Sequence, residues 1–88
     1  MVETKRWTAE IVLQESDDQT DATVKLRMGD AECVATGRAR RNPDDPNIPR
    51  IGEELATARA LADLSSRLLD ESAKMLEDCL GHKVELSH

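Results

Sequence analysis

Large aromatic side chains are almost absent from this sequence of 88 residues, which contains one Trp and neither Phe nor Tyr. A domain of this size buries only about 60–65% of the surface of its unfolded chain, so its core must be built from Leu, Ile, Val, Met and Ala. The scarcity of rings also excludes the stacking platforms with which open sheets bind single-stranded nucleic acid. We expect the one tryptophan, Trp7, to lie in the core.

Cysteine and histidine are equally scarce, being limited to Cys33, Cys79, His82 and His88. Because no CxxC or HxxxH pair occurs, the sequence predicts neither a zinc site nor any other cofactor. We expect both cysteines to be small, reduced core residues, with a disulfide between them as the alternative. His82 directly follows Gly81, and we expect it to interact with the C-terminal end of a helix rather than to act as a general base.

Motifs for catalysis and for membrane insertion are also missing. The sequence has no glycine-rich phosphate loop and no recognisable nucleophile, so we predict no catalytic residues and no enzymatic activity. It has no run of about 18 apolar residues, and its N-terminal segment lacks the apolar stretch of a signal peptide. We therefore expect a cytoplasmic protein without a membrane partner or a small-molecule substrate.

Alternation of apolar and polar residues dominates the first half of the chain. The alternating segments cover about residues 7–15, 21–28 and 31–41 and predict three strands. The turn residues Ser16–Gln19 and Gly29–Asp30 separate them, which is typical of an antiparallel meander. The third strand carries small residues on its apolar face, namely Ala35, Gly37 and Ala39, and we expect a helix to approach the sheet closely there.

The second half of the chain predicts one long amphipathic helix. Residues 42–50 contain three prolines and are expected to form a loop, whereas residues 51–80 contain none. Glu53 and Glu54 are expected in the first helical turn, and Gly81 is a typical stop. The predicted fold is therefore a single α+β domain with the order β-β-β-α.

The predicted helix is longer and more apolar than one sheet requires. Thirty residues would span about 45 Å, against about 28 Å for a strand of the predicted length. The apolar arc covers about half the circumference, whereas one contact face needs about 100°. Either the helix breaks near residues 70–72, where Ser72 could cap a second segment, or its surplus surface contacts another chain. Residues 83–87 alternate and are compatible with a short additional strand, exchanged between protomers.

We favour a homodimer, because a chain this small gains stability from association. The candidate interface residues are the larger side chains of the apolar arc, namely Leu61, Leu64, Leu68, Met75 and Leu76.

Net charge restricts any contact with nucleic acid. The chain carries 12 basic and 18 acidic side chains, a formal charge of −6, and such a domain repels phosphate overall. Contact with RNA would have to come from the basic side chains of the predicted sheet and loop. These candidates for RNA or partner binding are Lys25, Arg27, Arg38, Arg40, Arg41 and Arg50.

A family resemblance extends over nearly the whole chain and is strongest at residues 39–64. The groups that carry it are Asn42-Pro43, Asn47-Ile48-Pro49, Ile51-Gly52 and Ala58-Arg59-Ala60-Leu61, with Trp7 opening the first strand. With these groups the sequence resembles a family of small actinobacterial proteins of unknown function, which includes dormancy- and hypoxia-associated proteins of mycobacteria. The resemblance implies a fold similar to double-stranded-RNA-binding domains, and a homodimer that looks like ribosome hibernation-promoting factors.

Two functions follow as hypotheses. The resemblance implies a stress- or dormancy-linked homodimer that binds ribosomes or structured RNA without catalysis. The acidic charge, the overlong apolar arc and the missing aromatic platform favour the alternative, a protein-interaction or assembly module that does not bind RNA. Arg59 lies inside the matching motif, and we expect it to tie the loop to the helix.

Overall fold

The structure is a computed structural model that describes residues 1–86. Its elements are β1 (Thr8–Glu15), β2 (Gln19–Met28), β3 (Ala31–Arg40) and α1 (Pro49–Leu80). The strands form one antiparallel sheet in the order β1-β2-β3, because two short turns return the chain beside the strand just completed. The predicted α+β class, with a meander followed by a long helix, is confirmed.

The helix α1 runs without interruption for 32 residues, so the alternative of a break near residues 70–72 is wrong. It also begins two residues earlier than predicted, because Pro49 has no N–H to leave unpaired at the first helical position. Glu53 and Glu54 consequently lie beyond the first turn. Gly81 ends the helix in the left-handed conformation (φ 76°), with its N–H donating to the carbonyl of Glu77 at 2.7 Å.

The predicted C-terminal strand is not formed by residues 83–86. The N–H of Val84 instead donates to the Glu77 carboxylate at 3.1 Å, which folds this segment back against the last helical turn. The predicted strand extends to Ser87. Ser87 and His88 lie outside the described residues.

Small side chains on β3 decide where the helix lies on the sheet. A Cβ atom added at Gly37 would overlap the backbone of Ala56 and Ala60, so helix and strand are in direct backbone contact, as the sequence predicted. Further along, the Asp63 side chain accepts a hydrogen bond from the N–H of Thr36. The helix thus runs antiparallel along β3, and it contacts β2 less and β1 hardly at all.

The core is made mainly of alanine. Its buried members are Ala22, Val24, Cys33, Ala35, Ala39, Ala56, Ala60 and Leu64. The helix contributes only the last three of these, since a close helix–strand contact has no room for larger side chains. Much of the predicted apolar arc therefore lies at the surface, including Leu55, which is 41% exposed, and Leu76, which is 42% exposed.

Two expectations about burial, those for Trp7 and Cys79, are wrong. All eight residues of β1 are exposed, because the helix axis lies over the opposite edge strand. Trp7 precedes β1 and is 59% exposed rather than part of the core. Cys33 is buried as expected, but Cys79 is exposed near the overhanging end of the helix, and both thiols are free.

Candidate protein-interaction surface

β1 carries an uncovered part of the sheet's apolar face. Alternation along the strand directs Ala9, Ile11 and Leu13 to the same side as the helix, and the sheet register places them opposite Leu26, Val24 and Ala22 of β2. Their β2 partners are buried or half-buried, whereas Ile11 is 44% exposed and Leu13 is 38% exposed. The apolar face of the sheet therefore continues past the part that α1 covers.

A row of large apolar side chains on α1 borders this surface. Leu61, Leu68 and Met75 are spaced by seven residues, so they lie along one flank of the helix. At 100° per residue, Leu61 lies about 200° from both Arg59 and Asp63, which point toward β3. The flank that carries Leu61 consequently faces the side of β1, and Leu61 and Met75 are both exposed.

The five interface candidates named from the sequence occupy three environments. Leu64 is buried in the core of its own chain, and Leu68 is half-buried and packs against that core. Leu61, Met75 and Leu76 are exposed. Sequence reasoning did not find Ile11 and Leu13, although the small residues of β3 indicate that the helix lies over that strand and leaves β1 free.

The two edges of the sheet differ in their hydrogen bonding. At β3, Arg59 Nη1 donates to the carbonyl of Arg38 at 2.8 Å, and Asp63 Oδ2 accepts from the N–H of Thr36 at 3.3 Å. Arg59 thus ties the helix to β3 rather than to the loop, contrary to the sequence expectation. Because an unpaired edge strand is a template for another strand, these two side chains protect the β3 edge.

Asp63 is held in place from two directions. The guanidinium of Arg67, one helical turn away, donates to Asp63 Oδ2 at 3.0 Å. This hydrogen bond, followed by the one from Thr36, lowers the pKa of the Asp63 carboxyl. The carboxylate that covers the β3 edge is therefore ionised throughout the neutral range.

In the part of the chain that the structure describes, β1 has no comparable protection. Every second residue of an edge strand directs its N–H and C=O away from the neighbouring strand, and within residues 1–86 the backbone of β1 bonds only to β2. β1 contains neither proline nor lysine, two residues that commonly block edges. It is therefore an eight-residue edge with an uncovered apolar face beside it.

The face of the sheet opposite the helix gathers four of the six basic candidates, namely Lys25, Arg27, Arg38 and Arg40. Carboxylates lie among them. Arg38 Nε contacts Asp21 Oδ1 at 2.7 Å, Arg27 approaches Glu32 at 3.9 Å, and Lys25 lies opposite Glu10. The hydrogen bond from Arg38, supported by one from Gln19, lowers the pKa of Asp21. The positive charge of this open face is therefore largely balanced.

The other two basic candidates lie at the loop and at the helix start. Arg50 forms an ion pair with Glu54 at 2.8 Å. Arg41 donates to the carbonyls of Asp45 and Asp17, and its own N–H donates to the carbonyl of Asp18 at 2.8 Å. Arg41 thereby fastens the loop to the β1–β2 turn. Beside it lies an open cavity of 380 Å³, lined in part by residues between 45 and 52.

The described residues offer little for other chemistries. Among residues 1–86, no three His, Cys, Asp or Glu side chains converge as ligands for a metal ion. No helix in this part of the chain combines the length and the apolar character needed to cross a membrane.

Comparison with known proteins identifies relatives in mycobacteria. The Rv2632c-like family model matches residues 5–85. The uncharacterised protein Mb1767 of Mycobacterium bovis is 44% identical over 73 residues, which cover 83% of this chain and 78% of the relative. The uncharacterised protein Rv2632c of Mycobacterium tuberculosis is 35% identical over 68 residues, covering 77% and 73%.

A solved structure agrees with the fold. The crystal structure of Rv2632c superposes with a TM-score of 0.81 at 32% sequence identity, covering 89% of this chain and 93% of that one. Sequence and fold agree over nearly the same residues, and the chain belongs to the Rv2632c-like family.

Proposed function

We propose that this chain is a non-enzymatic protein-interaction module that works as a homodimer. The observation that carries the proposal is the uncovered apolar face of β1, on which Ile11 and Leu13 continue a core that the helix covers only over β2 and β3. An apolar surface of this kind beside a core is typical of an interaction site.

The overall dimensions of the chain support this proposal. A compact monomer of this mass exposes about 5,200 Å², whereas this chain exposes 7176 Å². Its radius of gyration is 16.8 Å, against about 12 Å for a compact domain of 88 residues. The surplus surface exceeds the roughly 800 Å² that each partner contributes to a standard interface.

The test compares two glutamate substitutions at apolar residues of similar exposure. Ile11, on the uncovered face of β1, is 44% exposed, and Val34, on the open face of β3, is 41% exposed. We expect sedimentation at micromolar concentration to give a dimer for the unmodified chain and for Val34→Glu, and a monomer for Ile11→Glu. A monomeric unmodified chain would contradict the proposal.

A second candidate function is binding of structured RNA or ribosomes by the open face of the sheet. The observation in its favour is that Lys25, Arg27, Arg38 and Arg40 share that face although the chain is acidic overall. A dimer that presents two such faces would be the stress-linked module that the resemblance implies. Its contacts would be with phosphate, since no aromatic residue lies on the face.

Salt dependence tests this second candidate. We expect co-sedimentation with ribosomes at low salt and release at high salt, because phosphate contacts displace counterions. Arg38→Glu should abolish association, whereas Arg50→Glu makes the same charge change away from the open face and should retain it. Absence of association at low salt would exclude this function, but it would not affect the proposal of a homodimeric protein-interaction module.

A further inference from the structure

We propose that two copies of this chain join through antiparallel pairing of their β1 strands, which makes one continuous six-stranded sheet. This inference rests on the proposed homodimer and specifies its geometry. It follows from the difference between the two sheet edges, of which one is covered by Arg59 and Asp63 and the other is open.

Charge determines the direction of the pairing. Lys5 and Arg6 precede β1, whereas Glu15, Asp17 and Asp18 lie at its far end and in the following turn. Antiparallel pairing places the basic end of one copy beside the acidic end of the other, twice in a symmetric dimer. Parallel pairing would place like charges together at both ends, which is unfavourable.

The pattern of side chains determines the register. Partners in an antiparallel pair lie on the same face, so the apolar residues must face one another. Ile11 opposite Ile11 of the second copy also places Ala9 opposite Leu13. Centring the pair on Glu10 would bring two carboxylates together. Centring it on Val12 would place both Ala9 and Trp7 opposite carboxylates, those of Glu15 and Asp17, whereas the Ile11-centred register places only Trp7 opposite one.

Charge complementarity also favours a second copy over an unrelated strand as the occupant. In the Ile11-centred register, the residues before each strand bring Lys5 opposite Asp17 of the other copy. The backbone groups left unpaired by β2 then find partners along the whole edge, and the two apolar faces become continuous across it. The β1 edge is thus complementary to the same edge of a second copy.

Cysteine cross-linking tests this register directly in the full chain, with Cys79 replaced by serine. Opposed residues in an antiparallel pair have Cα atoms about 4.5–5.5 Å apart, within the range of about 4.4–6.8 Å that a disulfide requires. We expect Ile11→Cys to give a covalent dimer on mild oxidation. Gln14→Cys on the same strand should not, because the two Gln14 positions would lie about 20 Å apart.

Cross-linking between two different cysteine variants tests the same register independently. Thr8 lies opposite Gln14 of the second copy, so a mixture of Thr8→Cys and Gln14→Cys chains should give the heterodimer that neither variant gives alone. A dimer in sedimentation without either cross-link would overturn the β1 pairing and leave the proposed homodimer intact. A monomer in sedimentation would overturn both.

Discussion

Gly37 of β3 lies so close to Ala60 of α1 that a Cβ atom on the glycine would overlap the backbone nitrogen of Ala60. This contact accounts for the position of α1 over β3. A helix that rested on larger side chains would lie farther from the sheet, and it could extend toward β1. The small residues of β3, Gly37 above all, therefore account for the uncovered β1.

Gly37→Ala is expected to destabilise the chain by about 3 kcal/mol, the upper part of the range for overpacked cores. The atoms that the new methyl group would meet belong to the helix backbone, which cannot move aside as a flexible side chain would. Urea unfolding followed by circular dichroism measures the change.

Gly29→Ala is the matched control, because a Cβ atom at Gly29 would meet nothing within 4 Å. Its cost should be limited to the left-handed conformation (φ 67°), about 1–2 kcal/mol for a residue with a side chain. Equal losses in the two variants would contradict direct backbone contact at Gly37.

Much of the fold could be predicted from local patterns. The three alternating segments give the strands, and the turns between them are too short for any crossover, so the meander is the simplest connection. The run without proline gives the helix, and Gly81 gives its end. The small residues Ala35, Gly37 and Ala39 also predict correctly where the helix approaches the sheet.

The face on which the helix packs could not be found from hydrophobicity alone. The leucines define the widest apolar arc, but Ala56 and Ala60 make the contact, because the glycine and alanines of β3 accept only small partners. Interface candidates predicted from the leucine arc therefore include Leu64 of the core and omit Ile11. Coverage of β1 depends on the helix position, which is a tertiary property.

Leu64→Ala and Leu76→Ala test this assignment of helix faces. Leu64 is 7% exposed in the core, and its truncation should cost about 2–4 kcal/mol through lost burial and a cavity. Leu76 is 42% exposed, and its truncation should change the unfolding free energy of the single chain by less than about 0.5 kcal/mol. Urea titrations at concentrations low enough to keep the chain monomeric measure both, and the reverse order would contradict the assignment.

Stability should fall in acid through Asp63. The Arg67 guanidinium and the Thr36 N–H hold the pKa of this carboxyl below its usual value, about 3.9 in an unfolded chain. The unfolded state therefore binds a proton first as the pH falls, so the contribution of Asp63 is complete above about pH 4 and is lost as the pH falls through the folded-state pKa. Asp21, held by Arg38, acts in the same direction.

Asp63→Asn should consequently lower the unfolding free energy at neutral pH and weaken its dependence on pH in the acid range. Urea titrations at a series of pH values provide the measurement. Asp78→Asn is the control, since Asp78 forms no ion pair among residues 1–86. An unchanged pH dependence in Asp63→Asn would show that its hydrogen bonds do not persist in solution.

The two thiols should differ in their reactivity. Cys33 is 4% exposed beneath the helix, and burial raises the pKa of its thiol, which reduces the thiolate available to react. Cys79 is exposed on α1. Brief treatment with iodoacetamide should therefore add one group per folded chain and two per chain in denaturant, as measured by mass spectrometry. Cys79→Ser should leave the folded chain unmodified. Equally rapid modification of both thiols without denaturant would mean that the helix does not cover Cys33 on β3. It would contradict the helix position that leaves β1 uncovered.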